Sequence, residues 1–359
     1  MVNMKHTYTT AAGDISLHTD NKRECLDNIL SFACRENPKR HFIIINKLIG
    51  RYTPTAPKVM RETYEQLVDQ IKAGESSYVV SLAEAATGLG AGVADSLSKR
   101  QKNVFFQHTT RQKVDAELWF SIDEQHSHAV SHLFYKPKSD LLKAISQVKR
   151  LIIVDDEITT GQTIKKLLNK LVSYLPNLEE IVITSIINLG GAESLLKTSD
   201  FGLPIRYVSL IDADLSIKIN PQFKPKLPNN VDTELSTSKA SSAVGRLGLE
   251  MPYEKDLNEI ESSNSTIVIA DGEHQYIPFL LAEKLEESGV DVLIQSINRS
   301  PILPCNIIQN QYKIVTESST SEHYLYNYFP ENKSVFVVSE NQYDGLEFAD
   351  GVQCHQWKS

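Results

Sequence analysis

The stretch KRLIIVDDEITTGQTIKKLLNKLVSYL (149–175) restricts the fold more than any other. Four apolar residues run into Asp155, Asp156 and Glu157. A short loop of threonine, glycine and glutamine follows, and then apolar positions recur at helical spacing. This reads as a buried strand, a loop and a helix from about 164 to 173. The same order recurs along the chain. HFIIINKLIG (41–50) is strand-like, and TPTAPKVMRETYEQLVDQIKAG (53–74) is a helix opened by prolines and closed by glycine. SSYVVSLAEAATGLGAGVADSLSKR (76–100) is strand, loop and helix, and NVFFQHTTR (103–111), EEIVITSIINLGG (179–191) and IRYVSLI (205–211) are further strands. Such alternation predicts an α/β fold with a parallel sheet covered on both faces, and ligands bind such sheets beyond the carboxyl ends of the strands.

The pattern breaks at 220–248, where proline, asparagine and serine dominate and apolar periodicity fades. Strand, acidic loop, helix, strand and basic loop then follow over 265–301 and predict a second, smaller α/β domain. The expected division is 20–225, a linker over 226–262, and 263–359. A chain of 359 residues suits two or three domains, and a composition 41% hydrophobic and 23% charged is that of an ordinary globular protein. No apolar run approaches a membrane span, and the first twenty residues lack the apolar core of a secretory signal. The four scattered cysteines read as reduced thiols, so a cytoplasmic protein is expected. A net charge of −8 disfavours a general nucleic-acid binder but leaves room for a local basic pocket.

Asp155 and Asp156 sit where the strand should leave the sheet. Gly161 permits a turn that larger residues resist. Backbone N–H groups and threonine hydroxyls at the following helix start make a nest for a phosphate. Two adjacent carboxylates upstream suit a diol, or a metal already bound to a phosphorylated sugar. A ribose 5-phosphate unit satisfies both ends of the loop.

LIIVDDEITTGQT resembles the phosphoribosyl pyrophosphate signature of the type I phosphoribosyltransferases. The resemblance implies the parallel-sheet fold of that family and transfer of ribose 5-phosphate from phosphoribosyl pyrophosphate to a nitrogenous small-molecule acceptor, with Mg²⁺ and release of pyrophosphate. It assigns Asp155 and Asp156 to the ribose hydroxyls and the metal, and Glu157, Thr159, Thr160, Gly161, Gln162 and Thr163 to substrate binding. It further assigns the loop at 81–92, with Thr87 and Gly88, to pyrophosphate. That loop lacks the basic residue often found there. The long segment 108–140 corresponds to the family's mobile catalytic loop, where Arg111 and Lys113 would neutralise the departing pyrophosphate. Its histidines, His126 and His128, read either as a metal pair or as groups that bind substrate or move a proton; their spacing matches no zinc pattern. Base specificity is expected from a hood drawn from 20–60 and 205–225, with Phe32, Tyr52 and Tyr207 as stacking candidates.

Taken together, NKLIGRYTPTAP, AEAATGLG, HTTR, EQHSHA and VDDEITTGQT resemble the orotate-phosphoribosyltransferase-like proteins of bacterial tellurium-resistance and stress gene clusters. Those carry a C-terminal TRSP domain, whose motif stands here as Asn298-Arg299-Ser300-Pro301. The resemblance allows a homodimer. Asp271, Glu273 and His274 at one strand end, and Arg299 and Ser300 at the next, are expected to form a separate ligand site in the second domain. Two other functions stay open on the residues alone: a non-catalytic sensor of phosphoribosyl pyrophosphate, and a scaffold whose C-terminal domain recruits a partner.

Overall fold

The computed structural model describes residues 4–35, 41–122, 132–190, 196–224, 245–253, 257, 265–314 and 323–340, and the backbone of 354–358. The central sheet has six strands in the order β11 (Ile205–Asp212), β10 (Glu180–Asn188), β9 (Arg150–Ile158), β5 (Ser77–Ser81), β6 (Val104–His108) and β13 (Leu249–Met251). The first five are parallel and β13 is antiparallel to β6. The inner strands are apolar without alternation because both faces are covered. On one face lie α2 (Pro57–Ile71) and α3 (Ala86–Ser98), and on the other α5 (Gln162–Leu171).

β9 continues through the acids as far as Ile158, so Asp155 and Glu157 remain in register with Ser185 and Ile187 of β10. At the N-terminus, β1 (Met4–Thr10) and β2 (Gly13–Thr19) form a hairpin, joined by β12 (Asp214–Ile219) in a three-stranded antiparallel sheet. β3 (Leu30–Cys34) pairs with β4 (Phe42–Asn46), and β7 (Leu118–Ile122) with β8 (His132–Tyr135). Part of the segment read as polar linker is packed: Gly245 O accepts the His108 N–H at 3.0 Å, and β13 lies on the sheet edge.

The C-terminal region builds a parallel sheet in the order β15 (Val292–Ser296), β14 (Thr266–Ala270), β18 (Ser334–Ser339) and β19 (Cys354–Lys358), with helix α6 (Tyr276–Glu287) against it. The two sheets do not stand apart. One buried cluster runs from Val79, Leu89 and Val154 to Val268, Phe279 and Ile294. Arg61 of α2 reaches both carboxylate oxygens of Glu283 on α6, at 2.6 and 2.7 Å, and Asp95 of α3 at 2.5 Å.

Candidate active site

A cavity of about 280 Å³ opens at the carboxyl end of the central strands. Four parts of the chain wall it: Asp155, Asp156, Glu157, Thr159 and Thr163 from β9 and its loop; Leu82, Ala83 and Ala85 after β5; Arg111 and His132; and Arg35, Ile43, Ile44 and Tyr52 from the β3–β4 pair and the segments that follow its strands. Ser300 of the C-terminal region completes the wall.

The loop after β9 folds as its sequence requires. Gly161 takes φ 65°, the left-handed region open to glycine at little cost, and as N-cap it starts α5 with no side-chain cap. The Gln162 N–H makes a long contact to Thr160 Oγ1 at 3.5 Å, and the first-turn N–H groups of a helix are suited to an incoming acceptor. Thr160, Gly161 and Gln162 belong to this turn but, unlike Thr159 and Thr163, are not among the cavity walls.

The acid pair is electrostatically unsettled. Burial comes first, with the Asp156 and Glu157 charges behind it, and pushes the Asp155 carboxyl well above its usual range. Asp156 is raised as well, to about 6, by burial and then by Glu157, against the Arg51 charge and hydrogen bonds within the acid pair. Among the described residues no ion pair holds either aspartate. The Asp155 carboxylate accepts the Asp156 N–H at 3.1 Å.

This donor set can be tested against Mg²⁺. Adjacent carboxylates whose charge is disfavoured are hard oxygen ligands awaiting a cation. The described residues contain no cluster of three or more acid, histidine or cysteine side chains that would cage a metal by itself. That suits an ion held by one or two carboxylates and completed by substrate phosphates and water.

Arg111 and His132 were separate in the sequence and meet here. His132 is buried, with Nε2 3.2 Å from Arg111 Nη2 and Nδ1 2.9 Å from Thr109 Oγ1. A guanidinium only donates, so Nε2 accepts, and the ring proton lies on Nδ1 and is given to Thr109. Thr109 Oγ1 in turn accepts the Ala83 N–H at 2.8 Å, tying this pair to the loop after β5. Lys113 is exposed and away from the cavity walls. His126 and His128 lie outside the described residues.

Several expected site residues are engaged elsewhere. Gly88 faces the second domain, where an added Cβ would sit 2.8 Å from Gln275 Oε1; at Gly90 and Gly92 it would strike Ser81 at 2.3 Å and the Tyr64 ring at 2.2 Å. These glycines form a packing seam and do not border the ligand space. Thr87 is buried and donates to Glu84 O at 3.2 Å, bracing its loop. Phe32 packs in the core beside Tyr8, with ring centroids 4.9 Å apart, and the Tyr207 hydroxyl accepts the Leu196 N–H at 2.7 Å. Of the three aromatic candidates, Tyr52 alone borders the cavity.

The expected second-domain cleft is divided in two. Glu273 Oε2 accepts the Thr110 hydroxyl at 2.5 Å and pairs with Arg246 at 3.2 Å, while Oε1 accepts the Arg111 N–H at 2.6 Å. Arg246 also holds Glu340 at 2.6 and 2.8 Å, and His274 Nδ1 is 3.9 Å from that carboxylate. Asp271 and His274 close a tight turn, His274 N–H to Asp271 O at 2.8 Å. This is a buried clamp between domains. Ser300 belongs to the first domain's cavity instead, and Arg299 lies 4.0 Å from Glu84. His132, which the sequence groups with His126 and His128, lines the cavity, as do Arg35, Ile43 and Ile44, which fall within the stretch expected to form the hood but carry no individual signal in the sequence.

Residues 29–214, just over half the chain, match the family model described as phosphoribosyl transferase. The chain belongs to this family. Residues 239–352 match the TRSP domain, described as lying C-terminal to that transferase. A hypoxanthine/guanine phosphoribosyltransferase of Methanopyrus kandleri is 21% identical over 187 residues, covering 52% of this chain and 91% of the relative. Among solved structures, an adenine phosphoribosyltransferase of Rhodothermus marinus is 17% identical, covering 52% of this chain and 96% of its own, at a TM-score of 0.35. The Trypanosoma brucei adenine enzyme, in complex with AMP, pyrophosphate and ribose-5-phosphate, is 13% identical over 54% and 83%, at 0.37. An orotate phosphoribosyltransferase of Aeropyrum pernix is 17% identical over 48% and 81%, at 0.29. The fold assignment rests on the family match and the parallel sheet: this is a type I phosphoribosyltransferase fold with further α/β elements at its C-terminal end. Among the described residues no helix is long and apolar enough to cross a membrane.

Proposed function

We propose that this phosphoribosyltransferase binds Mg²⁺·phosphoribosyl pyrophosphate in the cavity at the end of β9 and transfers its ribose 5-phosphate to a small nitrogenous acceptor. The observation that carries this reading is the convergence of Asp155, Asp156, Thr159, Thr163 and Arg111 on one space. Asp155 and Asp156 accept hydrogen bonds from the ribose 2′ and 3′ hydroxyls. The loop from Thr159 to Thr163, with the first turn of α5, takes the 5-phosphate. Mg²⁺, when bound, would be held by the acid pair and supply positive charge to the pyrophosphate.

The reaction breaks the bond between C1 and the pyrophosphate oxygen and forms a bond from C1 to the acceptor nitrogen, which gives up its proton. Pyrophosphate leaves with the electron pair. Positive charge grows on the ribose as the bond breaks, so placement and electrostatics dominate and no covalent nucleophile is required. Arg111, steadied by His132, is the cavity-lining cation best suited to the leaving group. Ile43, Ile44 and Tyr52 offer flat apolar walls to a planar acceptor. We take 20–225 as the transferase unit and 263–359 as the TRSP unit joined through 226–262.

Calorimetric titration with Mg²⁺·phosphoribosyl pyrophosphate tests this directly. Asp155→Asn with Asp156→Asn should weaken binding by ~100-fold or more, two charge-assisted contacts being lost. Unchanged affinity in a folded double variant would refute the assignment.

A further inference from the structure

The loop between β5 and α3 presents a problem of charge. Leu82, Ala83 and Ala85 line the cavity, yet the segment from Ser81 to Thr87 has no basic side chain and carries Glu84. A pyrophosphate group placed beside it brings several negative charges next to a carboxylate. Counter-charge has to come from elsewhere in the chain.

Two arginines meet Glu84. Arg51 lies 3.0 Å away and is sealed, its side chain 4% exposed. Its Nε and Nη1 find no hydrogen-bond partner, so a buried guanidinium with open donors stands behind the loop. Arg299 lies 4.0 Å from Glu84 with a side chain 28% exposed, and it adjoins Ser300 of the cavity wall without being one of the wall residues itself. Burial would raise the Glu84 carboxyl, but Arg51 and then Arg299 hold it below its usual value, so both cations act on this loop.

The segment carrying Arg299 is fixed against the first domain. Asn298 Nδ2 donates to Arg51 O at 2.9 Å and to Ser296 O at 2.7 Å. The Tyr326 hydroxyl donates to Ser300 O at 2.5 Å and accepts the Ile302 N–H at 2.8 Å. Leu303 N–H donates to Cys34 O at 2.9 Å, continuing the edge of β3. Behind the cavity, Ile43 and Tyr52 share a buried cluster with Ile302, Tyr324 and Tyr326. Ser300 itself borders the cavity.

We infer that the Asn298–Ile302 segment of the second domain is a built-in wall of the transferase cavity, and that Arg299 is the pyrophosphate-binding cation which the loop after β5 lacks. This rests on the reading of the cavity as a phosphoribosyl pyrophosphate site. Phosphate oxygens compete with Glu84 for the guanidinium because they offer a matching two-pronged acceptor with more charge. The second domain is then part of one active site and not the holder of a separate one.

The full-length protein and Arg299→Ala are titrated calorimetrically with three probes: Mg²⁺·pyrophosphate, Mg²⁺·phosphoribosyl pyrophosphate and ribose 5-phosphate. The variant should bind both pyrophosphate-bearing probes ~10-fold or more weakly, as for loss of a hydrogen-bonded charge, and ribose 5-phosphate within about twofold of wild type. Arg299→Lys should recover part of the loss, because it keeps the charge without the fork. Unchanged affinity for the pyrophosphate probes overturns the inference. So does an equal loss for all three, which would mean a merely structural wall, and so does wild type binding ribose 5-phosphate but not pyrophosphate. Wild type binding none of the probes removes the functional reading on which the inference stands.

Discussion

Arg246→Met isolates the clamp that ties the second domain to the backbone of Arg111. Arg246 is 2% exposed and pairs with two carboxylates, Glu273 and Glu340, themselves 4% and 9% exposed. Methionine keeps much of the volume and removes the charge, leaving two buried acids without their shared cation. Removing one partner of a buried pair costs about 3–5 kcal/mol, a large share of a typical total of about 5–15 kcal/mol. The pH dependence gives a second, independent check. In the wild type, burial raises Glu273, but Arg246 first, then His108 and the Thr110 and Arg111 donors, bring it net below its usual value. Glu340 shares the same arginine yet stays raised, burial outweighing Arg246 while Asp271 and Glu273 add repulsion. A lowered carboxyl stabilises the fold above its unfolded pKa of about 4.3, and that contribution fades as pH falls through its folded value. In the variant both acids rise, so the folded state takes up protons that the unfolded state does not. The variant's deficit should therefore be larger at pH 8 than at pH 5.5. Urea unfolding followed by circular dichroism and tryptophan fluorescence measures both, and coincidence of the two probes checks for intermediates. A deficit under about 1 kcal/mol, or one independent of pH, would refute the reasoning, since surface pairs give that little.

Affinity for Mg²⁺·phosphoribosyl pyrophosphate should rise with pH from the ordinary aspartate range toward about 6, where Asp156 loses its proton, and rise further until Asp155 ionises; calorimetry across that range would show a flat profile if the pair were already charged. Gly161→Ala forces a Cβ into φ 65° and should cost about 1–2 kcal/mol of local stability. It should weaken ribose 5-phosphate binding, and intact binding with an unshifted melting temperature would count against the loop's role.

What the sequence made legible was local. The run from Leu151 to Leu171 encodes strand, left-handed glycine and helix in contiguous residues, so strand, turn and helix were readable there. The N-terminal hairpin was not, because neither strand shows an apolar–polar alternation: β1 has Tyr8 as its one buried residue, and β2 buries Ser16 and Thr19 along with Ile15 and Leu17. Gly88, Gly90 and Gly92 resembled a phosphate loop by composition, but the decisive partners, Gln275, Phe106 and Tyr64, come from other elements. Ser300 could not be read as a wall of a cavity built around Asp155, nor Arg246 as the centre of a clamp, since each depends on contacts across many intervening residues.

The two acid clusters show why the site and the clamp looked alike. Asp155-Asp156-Glu157 and Asp271-Gly272-Glu273 both follow apolar strands, and composition alone does not separate them. Their surroundings do. Glu273 meets a guanidinium, a hydroxyl and a backbone N–H, and its carboxyl is driven below its usual value, the mark of a charge already satisfied by the fold. Asp155 and Asp156 are driven upward, against the cost of keeping both ionised, and open onto a cavity. A fold that keeps such a pair disfavours both charges, so the pair takes up a proton unless a cation or hydroxyl donor reaches it, which marks these acids, and not Glu273, as candidates for binding.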